Sequence, residues 1–440
     1  MSRRSGLDAM HDRASTIPSG RRIVVTTFGS LGDLHPYLAL GLGLKARGHD
    51  VIVGTGECYR RKIETLGLGF RAVRPDCAWV EQPEVMRRIA HPRWGIIRAV
   101  RMLMDALHES YADTLEACER ADLVVGNMAA YATRLVAEKT GIPWASAMHI
   151  PTGFFSACDP PLIPGFPGFS KALRPLGPLF WGPFGRFVNR TMYWAANPWF
   201  RLRREIGLPA VPSHNPLTES FSPLLHLALF SKRLVDKQRD WPQQTLVTGF
   251  PWFNADSAAG LPPALAEFLE DGSAPIVFTL GTAIAADAGT FFETSIRAAQ
   301  LLGRRAVLIL KDPRNRPRAL PDGVAAFEYA AFPLLFPRAA AIVHHGGIGT
   351  TGLAMRSGRP TLIMPCAWDQ PDNAERAARL GISRTISRRR YTPERVAIEL
   401  RRLLDEPAYG RRAAEIGEQV RQEDGVRAAC DAVERALRHL

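Results

Sequence analysis

Residues 341–381, AIVHHGGIGTTGLAMRSGRPTLIMPCAWDQPDNAERAARLG, decide the reading of the chain. Three apolar residues (341–343) form a short buried strand, His344 and His345 end it, and Gly346, Gly347 and Gly349 open a helix. Glycines directly after a parallel strand let backbone N–H groups close on a ligand with no Cβ in the way. The helix N-terminus adds the positive end of its dipole, and Thr350 and Thr351 add hydroxyls. Such a turn is a cradle for a diphosphate, with His344 placed to donate to a phosphate oxygen. A second strand at 361–365 leads to Asp369 and Gln370 at the same end of the sheet. An acid beside an amide there suits paired contacts with sugar hydroxyls. A tight turn over buried histidines would explain a lone glycine pair. It does not explain strand, double His, GG-x-G, double Thr and Asp-Gln in one frame.

The same grammar extends on both sides. Before the motif come strands at 275–280, 305–310 and 324–327, with Gly281-Thr282 after the first of them. The first half opens with RIVVTTF (22–28), a loop holding Gly29, Gly32 and Asp33, a helix over 36–47 and a strand at 51–54. Further strands fall at 121–125, 143–147, 228–230 and 246–248, with a helix at 133–140. The expected fold is α/β, with two doubly wound Rossmann-like domains facing across a cleft. The layout is a disordered leader (1–20), an N-terminal acceptor-binding domain (21–248), a linker (249–263), and a C-terminal nucleotide-sugar-binding domain (264–420). Residues 421–440 remain as a C-terminal helix free to pack back on the N-terminal domain. The first glycine loop lacks G-x-G-x-x-G spacing, which disfavours a dinucleotide site.

Residues 151–204 break the pattern with Pro, Gly, Phe and Trp (PPLIPGFPGF, PLFWGPFGRF). Irregular loops and short helices lining an apolar acceptor pocket are expected, with Phe154, Phe155, Phe180 and Trp181 on its wall and His149 beside them. Interdomain core is the competing reading of those rings.

Composition narrows the setting. With 440 residues, 46% hydrophobic and 22% charged, the chain can bury two cores. Its six cysteines form no C-x-x-C pair, so a zinc ribbon or disulfide framework is not expected and a reducing, cytoplasmic setting is. No apolar run approaches the about 18 residues of a membrane span. The net charge of +13 is spread along the chain without an RNA-binding motif. Nucleic acid is therefore not an expected partner. A solvated arginine-rich surface, attraction of an anionic donor, and peripheral contact with the inner membrane surface all fit that charge.

The segment HHGGIGTTGLAMRSGRPTLIMPCAWDQPDNAERAARLG resembles the donor-binding signature of GT-B glycosyltransferases of the UDP-glycosyltransferase and sterol glucosyltransferase type. The opening TTFGSLGDLHPYLALGLGLKARGHDV is similar to their N-terminus. Within that family, Asp240-Trp241-Pro242, Thr248-Gly249-Phe250-Pro251 and PCAWDQPDNAER most resemble the rhamnolipid-forming rhamnosyltransferases. The resemblance implies a GT-B fold, a dTDP- or UDP-sugar as co-substrate and no metal. It also implies roles for residues. Tyr329 would stack on the nucleobase, Gly281, Thr282, His344, Gly346, Gly347, Gly349 and Thr350 would meet the diphosphate, and Asp369 and Gln370 the sugar. Many UDP-sugar users carry a Glu eight residues after the first His; Gly352 stands here, which tilts the donor toward dTDP-L-rhamnose ahead of UDP-glucose.

Inverting transfer needs a base on the N-terminal domain. The resemblance points to Asp33, with His35 as the alternative. Related enzymes with a His base pair it with an Asp after the strand at 121–125; Asn127 stands there, and a lone carboxylate base needs no such partner. A helix-capping role competes at Asp33. Two other functions share the sequence features: a nucleotide-sugar epimerase, and a non-catalytic nucleotide-sugar or lipid-binding protein.

Overall fold

The inner strands are short, apolar and almost wholly buried, because a parallel strand covered by helices on both faces has no wet side. In β1 (Arg22–Thr26), Ile23, Val24 and Val25 all lack solvent contact. A computed structural model describes residues 20–76, 82–211, 215–253, 260–282 and 284–440. The expected leader, apart from Gly20, and residues 254–259 of the expected linker lie outside them.

The first sheet also holds β2 (Asp50–Thr55), β3 (Gly69–Ala72), β4 (Leu123–Asn127), β5 (Trp144–Met148), β6 (His226–Ala228) and β7 (Thr245–Val247). Its order is β3-β2-β1-β4-β5-β6-β7, all parallel. The second sheet holds β8 (Ile276–Thr279), β9 (Ala306–Ile309), β10 (Val324–Phe327), β11 (Ala341–His344), β12 (Thr361–Ile363) and β13 (Ser383–Thr385). It runs β10-β9-β8-β11-β12-β13, again all parallel. Strand order reverses between β1 and β4 in one sheet and between β8 and β11 in the other. Ligands of doubly wound folds bind at such points, past the carboxyl ends of the strands. The glycine loop before Asp33 follows β1, Gly281 follows β8, and His344 ends β11.

Two features tie the halves together. Helix Gly425–Arg438 packs against helix Leu31–Ala46 of the first domain, placing Ala429, Cys430 and Val433 in the same core as Ile23 and Val25. Arg47 pairs there with Asp431 at 2.7 Å and Glu434 at 2.8 Å. Elsewhere Met148, Phe154 and Phe230 share one apolar cluster with Ile348, Met355 and Ala374.

Residues 151–204 hold the expected helices, one of them longer than expected. They contain a 16-residue helix, Gly177–Met192, with Pro183 inside it, and a second helix, Asn197–Glu205. Packing overrides the Gly and Pro content: Trp181 is buried and its indole N–H donates to the Leu173 carbonyl at 3.0 Å.

Candidate active site

Asp33 lies inside the first turn of Leu31–Ala46, not in the loop before it. Ser30 caps that helix, and Asp33 Oδ2 accepts from its backbone N–H at 2.7 Å and its hydroxyl at 2.9 Å. The capping geometry is therefore real. It uses one carboxylate oxygen. The other, Oδ1, accepts from His149 Nε2 at 2.9 Å. Asp33 is thus not the lone carboxylate the sequence suggested: His149, placed in advance on the acceptor wall, is its partner. Burial raises the Asp33 pKa, but the His149 hydrogen bond and charge, with Ser30, outweigh it and hold the carboxyl below its ordinary range. His149 is buried one residue past β5, and its Nδ1 has no hydrogen-bond partner. The Tyr37 ring stands edge-on to it at 5.9 Å, with its hydroxyl donating to the Ala147 carbonyl at 3.0 Å.

His35, the alternative base, turns elsewhere and stacks on Phe253 at 4.6 Å. Asn127 is occupied by its own turn, accepting from Ala129 N at 2.6 Å and donating to Thr27 Oγ1 at 3.3 Å.

Across the cleft, the β11 turn needs its glycines. Gly346 has φ +88°, and a Cβ there would stand 2.9 Å from Ile363 and 3.1 Å from the Gln370 carbonyl. Gly281 has φ +63°, with the His345 ring 2.4 Å from where its Cβ would be. The loop after β8 therefore touches the β11 turn through His345. Gly347 caps helix Ile348–Ser357, Gly349 faces open space, and Thr350 sits in the first turn. The Thr351 hydroxyl donates to the Gly347 carbonyl at 3.0 Å, so its one proton is already used.

His344 is fully buried, and its Nδ1 accepts from Gly346 N–H at 3.0 Å. That bond fixes the proton on Nε2, which has no partner. Burial, then the neighbouring His345, pushes its pKa down to about 3. The ring is a neutral N–H donor with an unmet hydrogen bond.

Asp369 caps helix Gln370–Arg379 and accepts from Asn373 Nδ2 at 2.6 Å; the same amide donates to the Gly346 carbonyl at 2.9 Å. Burial pushes the Asp369 pKa up to about 6 against that hydrogen bond. The Asp33 charge adds to that rise, and the apolar cluster shared by Met148 and Ile348 brings the carboxyl ends of the two sheets together. Gln370 departs from the expectation of paired sugar contacts: its Oε1 accepts from Cys366 N at 2.8 Å and Ala367 N at 3.0 Å. Only its NH₂ remains for a ligand. Tyr329 stands at the rim, with Lys311 Nζ 4.2 Å from its ring centre. Thr282 is half-buried after β8.

The acceptor wall also needs correction. Phe154 stacks on Trp241 at 3.8 Å within the shared core, and Trp181 is buried under its own helix. Neither ring is open to a ligand. Phe155 packs on Phe184, and Phe180 packs among Phe169, Trp181 and Phe184.

One group of residues escaped the sequence reading. Arg376, on helix Gln370–Arg379, pairs with Asp372 and with Asp159 of the first domain, and Asp372 Oδ1 accepts from Leu162 N at 2.9 Å. Trp368 Nε1 donates to the Ile89 carbonyl at 2.9 Å. These contacts clamp the Asp369 helix to the opposite domain. Among the described residues, no cluster of His, Cys, Asp or Glu could hold a metal ion, and no helix is long and apolar enough to cross a membrane.

Comparison with known proteins identifies the family and the fold. Residues 23–152 match the glycosyltransferase family 28 N-terminal domain, and residues 301–429 match the erythromycin biosynthesis protein CIII-like C-terminal domain. O-mycaminosyltylonolide 6-deoxyallosyltransferase of Streptomyces fradiae is 35% identical over 433 residues, covering 94% of this chain and 97% of that protein. Sterol 3-beta-glucosyltransferase of Cryptococcus neoformans is 28% identical over 96% of this chain, which spans only 27% of that protein. The glycosyltransferase VinC, solved in complex with dTDP, superposes with a TM-score of 0.68 at 21% identity, over 95% of this chain and 100% of VinC.

Proposed function

Because the chain belongs to the family 28 and erythromycin CIII-like GT-B glycosyltransferases, we propose that it moves a hexose from a nucleoside-diphosphate donor to a hydroxyl of an apolar acceptor, inverting the anomeric carbon. One observation carries the proposal: a hydrogen-bonded acid–imidazole pair on one domain faces a glycine turn with an unmet N–H donor on the other.

Asp33, held by His149 on one oxygen and by Ser30 on the other, takes the acceptor proton as general base. The freed oxygen attacks the anomeric carbon, and the bond to the diphosphate breaks on the opposite face. Charge then develops on the diphosphate. The N–H groups opening helix Ile348–Ser357 and the His344 Nε2–H meet it there. Asp369, held by Asn373, accepts from sugar hydroxyls, and the Gln370 NH₂ donates to them. Tyr329 stacks on the base.

The donor is dTDP-L-rhamnose ahead of UDP-glucose. A Cβ on Gly352 would stand 3.0 Å from the Phe250 ring, so the ribose-binding Glu of many UDP-sugar users would crowd that ring here. VinC was solved with dTDP, which supports the same nucleotide here. The acceptor is a hydroxy-fatty-acid lipid or a phenolic, polyketide or sterol-like aglycone. The macrolide and sterol substrates named for the relatives fall in that range.

The test is mass spectrometry of products from a matrix of donors and acceptors. Glycosylated product with dTDP-L-rhamnose is expected. Use of UDP-glucose at least about tenfold more efficiently, a difference of about 1.4 kcal/mol in transition-state binding, reverses the donor assignment. Donor turnover to an epimer without acceptor refutes the transferase reading.

A further inference from the structure

Helix Gly177–Met192 and its flanking turns, Arg174–Leu176 and Tyr193–Ala196, carry a largely exposed apolar line. Leu176, Leu179, Phe187 and Trp194 are 51%, 91%, 63% and 61% exposed, and Pro183 between them is exposed too. Steps of three, four, four and seven residues set these positions on one side of the helix. The opposite side is anchored through buried Trp181 and through Phe184 against Phe155. The helix is docked by one face and offers the other.

Charge accompanies the line. Arg186 and Arg190 are exposed beside it and pair with no carboxylate, and residues 160–204 contain no Asp or Glu. The turn Tyr193–Ala196 packs against helix Gly95–Asp105, which adds exposed Ile96, Arg98 and Arg101.

We propose that this face is a docking surface for an anionic lipid bilayer. Leucine and aromatic side chains in a line, edged by arginines on a helix whose own residues include no acid, compose a helix that lies in the plane of a membrane interface. The protruding line, with Leu179 almost wholly exposed, inserts between headgroups without a shaped partner. A symmetric second copy would bring two such helices together, each with arginines and neither with an acid to answer them. The docked face lies one layer of side chains from the loop that carries His149, because Phe155 packs on Phe184. An apolar acceptor dissolved in the bilayer therefore reaches the protein on the side backed by that loop. This last step rests on the transferase reading; the docking does not.

The test is co-sedimentation of the full chain with vesicles of phosphatidylcholine alone, or of phosphatidylcholine with phosphatidylglycerol, at low and high salt. Binding to the anionic vesicles at low salt, with release at high salt, is expected because exposed charges are screened. Leu179→Asp with Phe187→Asp should weaken binding about tenfold or more, the scale of one buried phenylalanine. The melting temperature and turnover of a water-soluble acceptor should be unchanged. Arg186→Gln with Arg190→Gln should weaken binding while leaving the apolar line intact. The proposal is overturned if the wild type stays in the supernatant with anionic vesicles at low salt. It is equally overturned by equal binding to neutral vesicles, or by a Leu179→Asp, Phe187→Asp variant that binds like the wild type. A wild-type dimer that this variant dissolves assigns the face to a second copy instead.

Discussion

The ring of Phe250 lies against Gly352, so close that a Cβ would stand 3.0 Å from two of its carbons. Phe250 comes from the segment after β7, whereas Gly352 is one turn into the helix behind the cradle. Gly352→Glu should therefore destabilise by about 1–3 kcal/mol through overpacking, and it should not raise the use of UDP-glucose. In a double-mutant cycle with Phe250→Ala, the paired variant should be less destabilised than the sum of the singles, because the clash is relieved. Thermal melts and kcat/KM for both donors check this. A well-folded Gly352→Glu that favours UDP-glucose contradicts it.

Asp33→Asn keeps the bond from Ser30 but loses proton acceptance. The loss of general-base catalysis should lower kcat by about 10²–10⁴-fold. His149→Gln should fall in the same range, and the double variant should be little worse than either single, as for groups acting as one unit. Donor affinity and melting temperature should hold. Full activity in His149→Gln would leave Asp33 as an unaided base.

His344→Ala removes a neutral donor, not a charged one, because burial holds the imidazole unprotonated. Titration calorimetry with dTDP should show a loss of about 1.5–3 kcal/mol, the worth of a hydrogen bond to a charged acceptor, here the diphosphate. Unchanged affinity would remove His344 from the diphosphate site.

The histidines also set an acid limit. Burial holds His226 and His344 down to about 3 and His345 to about 4. Below about pH 6.5 the unfolded chain takes up protons that these rings refuse, so stability falls by about 1.4 kcal/mol per pH unit for each. Asp369 works in the opposite sense. With its pKa pushed up to about 6, the native state binds the extra proton first and gains stability as pH falls through that value. Three histidines outweigh one carboxyl, so the melting temperature should fall steadily from pH 6.5 to 4.5. A flat profile would contradict the buried neutral rings.

The architecture was legible because parallel strands announce themselves as short apolar runs, and the glycine turn after β11 because its glycines follow a strand directly. The pairing of His149 with Asp33 was not legible, although a signal existed. Residues 33 and 149 follow β1 and β5, which flank β4, so they leave the sheet at the same end near its reversal. The aromatic stretch misled for a different reason. Composition cannot tell a ring facing inward, like Phe154 on Trp241, from one facing solvent, like Phe187. The bond that uses up the Gln370 carbonyl and the Arg376 clamp depend on side-chain contacts that spacing does not encode.

The packing of Gly425–Arg438 on Leu31–Ala46 has a temporal meaning. Cys430 Sγ reaches the Leu40 carbonyl at 3.8 Å across 390 positions of chain. During synthesis, the domain made first therefore stays unsealed while the whole second domain is being assembled. The flank of Leu31–Ala46 that receives Val426 and Cys430 is exposed apolar surface for that interval. The acid–imidazole pair at the head of the same helix is framed early, but the helix is covered last.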